Sequence, residues 1–580
     1  VVARAVCGAL RNLACAADNH VRLVRDGAHV AVMAAVRAHG GDVKVAQGAC
    51  GMLQNLTITE GLNISLVGDG AHTAVIAAAR VHSGNLEVAR WACLALHNLV
   101  VAGDLEVPMV RDGAHTAVMA AARAHAGDVE VARIACGALF NLAAAADNRV
   151  PLVRDGAHTA VMAAARIHSG DVEVARRACG ALGNLAGAAD TCVPLVRDGA
   201  HTTVMEAVRA HSGDAKVAQL ACNALQCMAV AADNRVPLVN GSVHTAVMDA
   251  ARLHNNKLEV ARAACGALQN LSFGAHNRVP LVRDGVHVAV MAVAHDHAGD
   301  VVVAQAVCVS LWCLALAADN NVSLVRDGAR VAVTAALRSH AGDKMVMGAA
   351  YGTLINLVVA ADDCVPLMRD GAHTAVLAVA RANSSFVEIA RNACVTLAKF
   401  ASRTDGKVQL MRDGVHTMVM AAAQAHSGDV EVVRAACSTL GNLSIAADNK
   451  VQLVRAGAHA TVMAAVRTHS SDVEVVRAAC TALQSLAIAA DNRVPLVRDD
   501  AHTAVIAAAR DHAGDVEVAR AACDALQNLA VAADSKVLLV RNGAHKAVMA
   551  AARAQAGDVV VVRAACGVLR DLAIAADNRV

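Results

Sequence analysis

Apolar residues recur at helical spacing along the whole chain, and no segment shows the strict alternation of apolar and polar residues that a strand would have. A representative stretch reads DNRVPLVRD over residues 147–155, HTAVMAAARIH over 158–168 and VEVARRACGALGNLAGAA over 172–189. The pattern predicts a short, a medium and a long helix in succession. The chain is therefore expected to be all-α.

Residues that favour helix starts or helix ends mark the expected ends of these helices. Asp147 and Asn148 are good N-cap residues, and Pro151 is expected in the first turn, where a missing N–H costs little. Gly156 is placed for a sharp corner after the short helix. Asp171 is expected to cap the long helix, with Glu173 in its first turn, where the helix dipole favours an acid.

The three-helix pattern repeats every 43 residues without insertion or deletion. Its clearest marker is the His of GAH or GVH, with Arg330 in the one gap: His29, His72, His115, His158, His201, His244, His287, His373, His416, His459, His502 and His545. A fixed period of this size predicts stacked supersecondary units. We predict one array over residues 1–580, with about 13 complete repeats between 18 and 576 and partial repeats at both ends. Because neither end has a polar capping face, we expect the array to continue or its end helices to fray.

Composition narrows the class of protein further. Of the 580 residues, 56% are hydrophobic but only 1% are aromatic, and the formal net charge is +2. Small side chains favour close approach of helices, and the near-zero charge gives no reason to expect nucleic acid. The longest apolar run, Ala306 to Ala318, falls short of the ~18–20 residues that span a bilayer.

Most of the 18 cysteines occupy one slot of the repeat. They are Cys7, Cys50, Cys93, Cys136, Cys179, Cys222, Cys265, Cys308, Cys394, Cys437, Cys480, Cys523 and Cys566. Equivalent slots in stacked helices lie roughly 10 Å apart, beyond the ~7 Å reach of a disulfide between Cα atoms. We expect buried thiols in a reducing compartment, which favours the cytoplasm, with a peripheral organelle or nuclear location as alternatives.

A helical projection of residues 258–272, LEVARAACGALQNLS, places Glu259, Arg262, Gly266 and Asn270 on one open arc, together with Ala263 and Gln269. The remaining positions are small or apolar and are expected to be buried between neighbouring repeats. Stacking would turn the open arc into parallel rows of Arg, Gly and Asn.

Two of these rows carry binding chemistry. The asparagine row comprises Asn12, Asn55, Asn98, Asn141, Asn184, Asn270, Asn356, Asn442 and Asn528. The arginine row comprises Arg90, Arg133, Arg176, Arg262, Arg434, Arg477 and Arg520, with Arg4, Arg391 and Arg563 in the same slot. An amide can hold the backbone of an extended peptide, and a guanidinium can pair with carboxylates. The alternatives are helix capping or bonds between adjacent third helices for Asn, and a solvated salt-bridged face for Arg, as in Glu130–Arg133.

The corner Gly, GAxxAVM and DxEVxRxAxxALxNLA together resemble the armadillo repeat of β-catenin, importin-α and the fungal vacuolar scaffold proteins, over the whole chain. The resemblance implies a right-handed armadillo-type α-solenoid with three helices per repeat. It also implies that third helices line a concave groove, in which the nine Asn bind the backbone of extended partners.

The chain departs from importin-like repeats in one slot. Those repeats carry a Trp four residues before the Asn, whereas in this chain that slot holds mostly Gly or other small residues, such as Gly51, Gly137, Gly180 and Gly266, and no repeat has a Trp in it. We therefore expect an open slot and no nuclear-import role. Because a basic groove would repel basic peptides, we also expect acidic or neutral partner segments.

The repeated Cys, His and Asp do not form a unique constellation of the kind that catalysis needs, and the two His of a second helix lie about 15 Å apart, too far to share a metal. We expect no enzyme activity, no cofactor, no metal and no direct membrane insertion, with other proteins as partners.

The predicted function is a protein-interaction scaffold. The alternatives are a membrane-associated organelle scaffold of the vacuolar type, or the substrate-binding array of a ubiquitin-ligase or signalling protein whose catalytic domain lies elsewhere. Looser repeats around Trp312, Tyr351, Phe386, Lys399 and Phe400 indicate either a binding hot spot or sequence drift.

Overall fold

The computed structural model describes residues 1–59, 61–101, 105–360, 368, 371–403 and 405–574. Over these residues the chain is built from helices and contains no strand. It divides into two compact units, Val1–His297 and Ala298–Val580, which we call unit 1 and unit 2. Both units repeat one short, one medium and one long helix.

The long third helices pack on one another in sequence within each unit. In unit 1 they are Val2–Leu13, Val43–Leu56, Leu86–Val100, Val129–Leu142, Val172–Leu185, Ala215–Met228 and Leu258–Ser272. In unit 2 they are Val301–Ala315, Lys344–Ala360, Val387–Arg403, Val430–Leu443, Val473–Ala487, Val516–Ala530 and Val559–Ala573.

The second helices pack against the third helix of their own repeat and against neighbouring second helices. In unit 1 they are Ala28–Ala38, Ala71–Val81, Ala114–Ala124, Ala157–Ile167, Ala200–Ala210, Val243–Leu253 and Val286–Asp296. In unit 2 they are Ala329–Ser339, Ala372–Ala382, Val415–Ala425, Ala458–Thr468, Ala501–Asp511 and Ala544–Ala554.

The first helices are short, and three are preceded by a 3₁₀ turn at Ala17–Asn19, Ala275–Asn277 or Ala318–Asn320. In unit 1 they are His20–Arg25, Asn63–Gly68, Glu106–Arg111, Ala146–Arg154, Ala189–Arg197, Ala232–Asn240 and Arg278–Arg283. In unit 2 the described ones are Asn321–Arg326, Lys407–Arg412, Ala447–Arg455, Ala490–Arg498 and Ala533–Arg541.

The predicted corner and third-helix cap are both present. Gly156 adopts φ +85°, a left-handed conformation that costs glycine nothing. The Asp171 carboxylate accepts from the backbone N–H of Glu173 at 3.1 Å and of Val174 at 2.9 Å. Ser242 and Asp500 adopt the same corner conformation, with φ 61° and 65°, although they carry a Cβ.

The predicted start of the first helix was wrong in the representative repeat, whereas Arg278–Arg283 does begin directly after Asn277. The helix begins at Ala146, so Asp147 and Asn148 lie inside its first turn and Pro151 in its second. Asn148 is 2% exposed and donates to the Leu142 carbonyl at 2.8 Å, closing the third helix before it. This buried amide satisfies that carbonyl, and no side chain caps the start of the first helix. The third helix of this repeat was also predicted to be too long, because the helix ends at Leu185.

Small buried residues hold the third helices together. In Val172–Leu185 the buried side chains include Val174, Ala178, Cys179, Leu182 and Leu185. Apart from the exposed Cys566, the repeated-slot cysteines are buried, and all seventeen described cysteines are free thiols. Burial raises the pKa of Cys50, Cys93 and Cys136 to about 12, so these thiols stay protonated.

In the part of the chain that is described, no single helix is long and apolar enough to cross a bilayer. One pair, Val301–Ala315 with Ala318–Arg326, reaches that length and composition only jointly, across a bend of 111°.

Candidate protein-binding surface

The outward face of the third helices is narrower than the helical projection predicted. In Leu258–Ser272, Glu259 and Arg262 are exposed and Asn270 is half-buried. Ala263 and Gly266, placed on the open arc from sequence, are buried. Neighbouring third helices therefore cover part of the expected arc.

Gly266 is not an open slot, and this corrects the sequence prediction. A Cβ on Gly266 would lie 2.6 Å from Cδ of Gln226, on the third helix of the preceding repeat. Phe140 covers Gly180 and Trp312 covers Gly352 in the same way. In each pair the covering residue precedes the asparagine slot of one repeat, and the glycine lies 40 residues further on.

The side chains of the asparagine row bond the preceding third helix. The amide Nδ2 donates to a carbonyl 44 residues earlier, in the pairs Asn184–Phe140 (3.0 Å), Asn270–Gln226 (3.0 Å), Asn442–Ala398 (3.5 Å) and Asn528–Gln484 (3.5 Å). This is the inter-helix bond that the sequence left as an alternative. This bond uses one N–H of the amide. The second N–H and the carbonyl oxygen of the amide take no part in it.

Earlier members of the row bond side chains instead of carbonyls. Nδ2 of Asn55 lies 3.8 Å from Cys15 Sγ, and Nδ2 of Asn98 donates to Thr57 Oγ1 at 3.2 Å. Asn141 Nδ2 lies 3.3 Å from His97 Nδ1. Asn12 is exposed, and Asn356 is half-buried within Lys344–Ala360. The amides that bond the preceding repeat are thus held in position while remaining partly accessible.

Most of the arginine row pairs with the Asp that caps the next third helix. Arg176 donates to Asp214 through Nη2 at 2.6 Å and through Nε at 3.2 Å. The same arrangement joins Arg90 to Asp128, Arg133 to Asp171, Arg391 to Asp429 and, through Nη2, Arg477 to Asp515. Arg434 and Arg520 bond Glu431 and Glu517 on their own helices, and Arg262 is exposed. The row is therefore a set of ion pairs along the stack.

These ion pairs change the acidity of the capping carboxylates. The hydrogen bond from Arg133 is the main cause that lowers the pKa of Asp171 to about 2, with further lowering from the backbone N–H of Val174. Arg176 lowers the pKa of Asp214 in the same way. One carboxylate thus caps its own helix and anchors the repeat before it.

The repeated histidines also join consecutive repeats, which the sequence did not predict. His72 Nε2 lies 2.8 Å from Asp112, and His115 Nε2 lies 2.9 Å from Asp155. The later histidine of the second helix bonds a loop carbonyl of the preceding repeat, as in His168 with Ala126 at 2.8 Å. Among the described residues, no three His, Cys, Asp or Glu side chains are grouped to hold a metal.

The aromatic residues of the looser repeats have different environments. Tyr351 and Phe400 are fully buried, so they are core residues and cannot contact a partner. Trp312 is 38% exposed, and Phe386 is 46% exposed beneath Lys344, whose Nζ lies 5.7 Å from the ring centre. Only the latter two remain accessible as anchors.

Two comparisons with known proteins identify the fold. Residues 1–236 match the family model described as "LRRK2 ARM repeat". The chain is also similar to a chain in a solved structure described as "A conserved phosphorylation switch controls the interaction between cadherin and beta-catenin in vitro and in vivo". That similarity has a TM-score of 0.66 and 18% identity, and covers 84% of this chain and 97% of the other. No curated protein matches the sequence. The fold is therefore that of an armadillo-type α-solenoid, as the third-helix signature predicted.

Proposed function

We propose that the chain is a non-catalytic scaffold that binds extended protein segments along its third helices. The observation that carries the proposal is the asparagine row, whose half-buried amides are held by bonds such as Asn184 to Phe140. A fixed amide can meet a partner backbone without first losing rotamer freedom. The similar solved structure, described as concerning cadherin and beta-catenin, supports a protein as the class of partner.

The spacing of the row fits an extended segment. Stacked helices lie roughly 8–10 Å apart, and an extended chain advances about 3.3 Å per residue. Each repeat would therefore meet about three residues of the partner. Asn98, Asn141 and Asn184 occupy consecutive repeats and would together contact a segment of about nine residues.

We propose that the segment is acidic or neutral. Arg90, Arg133 and Arg176 are 37–44% exposed at their side chains, so each guanidinium can donate to a partner carboxylate in addition to the capping Asp. A Lys-rich segment would make no favourable charge interaction with these arginines.

We further propose the cytoplasm as the compartment, because buried, protonated thiols such as Cys93 persist in a reducing environment.

Selection from a display library of random peptides about twelve residues long tests this function. Wild-type protein should enrich acidic or neutral sequences, and a variant with Asn98, Asn141 and Asn184 changed to Ala should not. The matched control changes Asn148 and Asn234 to Ala, since these buried first-helix amides also donate to carbonyls. Equal enrichment by the wild type and the triple variant, with both helical by circular dichroism, would refute the proposal.

A further inference from the structure

A second set of arginines lies on the second helices of unit 1, away from the asparagine row. Each occupies the last turn of its helix and is exposed: Arg37, Arg80, Arg123, Arg166, Arg209 and Arg252. Because consecutive second helices pack against one another, these six form a continuous line, which we call the second-helix arginine column. The column ends where His295 replaces Arg in Val286–Asp296.

The charges of this column are not compensated as those of the arginine row are. Arg80 donates to Thr116 Oγ1 at 3.1 Å, and Arg123 donates to the Met119 carbonyl of its own helix at 3.2 Å. Arg252 lies 3.7 Å from Asp249, and that pair is exposed. Within the described residues no ion pair joins the other five column arginines to a carboxylate. Glu206 and Asp249 are the acids of the six helices, so the face is net positive.

Exposed aliphatic side chains lie directly beside the column. Val81, Ile167 and Leu253 each follow a column arginine and are 60%, 54% and 56% exposed. A recess of about 240 Å³ between two second helices is lined by Val208, Arg209 and Leu253, among others. Cationic and aliphatic groups therefore occupy the same edge of the stack, a combination typical of peripheral membrane contacts.

We propose that the second-helix arginine column docks on the surface of a bilayer that contains anionic phospholipid. Lipid headgroups diffuse laterally, so each arginine can meet a negative charge whatever the spacing of the repeats. Nucleic acid fits this face less well, because the six helices carry no aromatic residue for base stacking. Arginines roughly 10 Å apart would also leave most phosphates of a duplex, which carries a charge about every 1.7 Å, without a partner.

Docking through the column leaves the third helices free, so the inference does not depend on the proposed function. Each arginine near an anionic surface strengthens binding about fivefold, and the attraction falls within a Debye length. The side chains of Val81, Ile167 and Leu253 would add apolar contact at the headgroup boundary.

The test is sedimentation of the full chain with vesicles of phosphatidylcholine alone or with about one-third phosphatidylserine. The wild type should bind only the phosphatidylserine vesicles, and less tightly as salt rises. Changing Arg80, Arg123, Arg166 and Arg209 to Gln should weaken binding by at least about a hundredfold. The control changes Arg111, Arg154, Arg197 and Arg283 to Gln, because these exposed first-helix arginines each adjoin an Asp.

The control should retain binding within about fivefold of the wild type. The proposal is overturned if the wild type does not prefer phosphatidylserine vesicles, or if both quadruple variants lose binding equally while remaining helical. Binding of a single-stranded oligonucleotide through the column, without vesicle binding, would assign the surface to nucleic acid and also overturn the proposal.

Discussion

The side chain of Gln226 packs directly against Gly266, which lies forty residues later in the sequence. The ideal Cβ position on Gly266 lies 2.6 Å from both Cδ and Nε2 of the Gln226 side chain. Gly266 therefore leaves the space that a side chain of the preceding repeat fills. A Trp at this slot, as importin-like repeats carry it, would have to displace that side chain.

The pairing predicts different costs for two glycine substitutions. In Gly266→Ala the flexible end of Gln226 can move away, and Ala gains up to about 1 kcal/mol of helix propensity. In Gly48→Ala the new Cβ would meet Cys7 Cβ at 2.8 Å and the Cys7 backbone carbonyl carbon at 2.9 Å. We expect Gly48→Ala to lower the free energy of opening of Val43–Leu56 by about 1–3 kcal/mol, and Gly266→Ala to leave Leu258–Ser272 nearly unchanged. Native-state hydrogen exchange measures both, and equal losses would contradict the packing described.

The corners predict a stabilising substitution. Ser242 adopts φ 61° in the slot that Gly285 fills with φ 82° one repeat later. Because the left-handed conformation costs a residue with a Cβ about 1 kcal/mol, Ser242→Gly should raise the midpoint of thermal unfolding, and Gly285→Ser should lower it. Differential scanning calorimetry of both variants tests the sign. Shifts in the same direction would show that the corner conformation does not limit stability.

The ion pair of Arg133 with Asp171 predicts a dependence of stability on pH. The folded pKa of Asp171, about 2, lies below its unfolded value of about 3.9. The pair therefore stabilises the fold above about pH 4, and this contribution is lost as the pH falls toward about 2. In Arg133→Gln the pKa of Asp171 should rise toward its ordinary value, and acid unfolding followed by circular dichroism should begin at a higher pH. Arg154→Gln, at an exposed arginine away from this pair, is the control.

Cysteine accessibility predicts a pattern of alkylation. Burial raises the pKa of Cys50, Cys93 and Cys136 to about 12, so they should resist iodoacetamide in the folded chain. Cys15 and Cys566 are exposed and should react first. Peptide mass spectrometry after brief labelling checks this. Early modification of Cys93 would show that the third helices open more readily than their packing implies.

Local features of the fold could be predicted from the sequence, because they depend on residues close together in the chain. The 43-residue period, the Gly156 corner and the Asp171 cap are of this kind. Contacts between repeats could not, because they depend on how one repeat is rotated against the next. Neither the bond of Asn184 to Phe140 nor the covering of Gly180 by Phe140 follows from helical periodicity.

One sequence signal could have revealed the covered glycines. In several repeats a large residue before the asparagine slot is followed 40 residues later by Gly, as with Phe140 and Gly180, although Gln269 is followed by Val309. Where the first position is Gly, the second is larger, as with Gly183 and Asn223 or Gly441 and Thr481. This exchange of volume is typical of side chains in direct contact.

The central claim is that the asparagine row binds an extended protein segment, and the affinity of one library-selected peptide tests it most directly. Each lost amide hydrogen bond costs about 0.5–1.5 kcal/mol, so the change of Asn98, Asn141 and Asn184 to Ala should raise Kd by roughly tenfold to a thousandfold in fluorescence anisotropy. The control with Asn148 and Asn234 changed to Ala should keep the wild-type Kd. An unchanged Kd in the triple variant, with its helical content intact, would contradict the account.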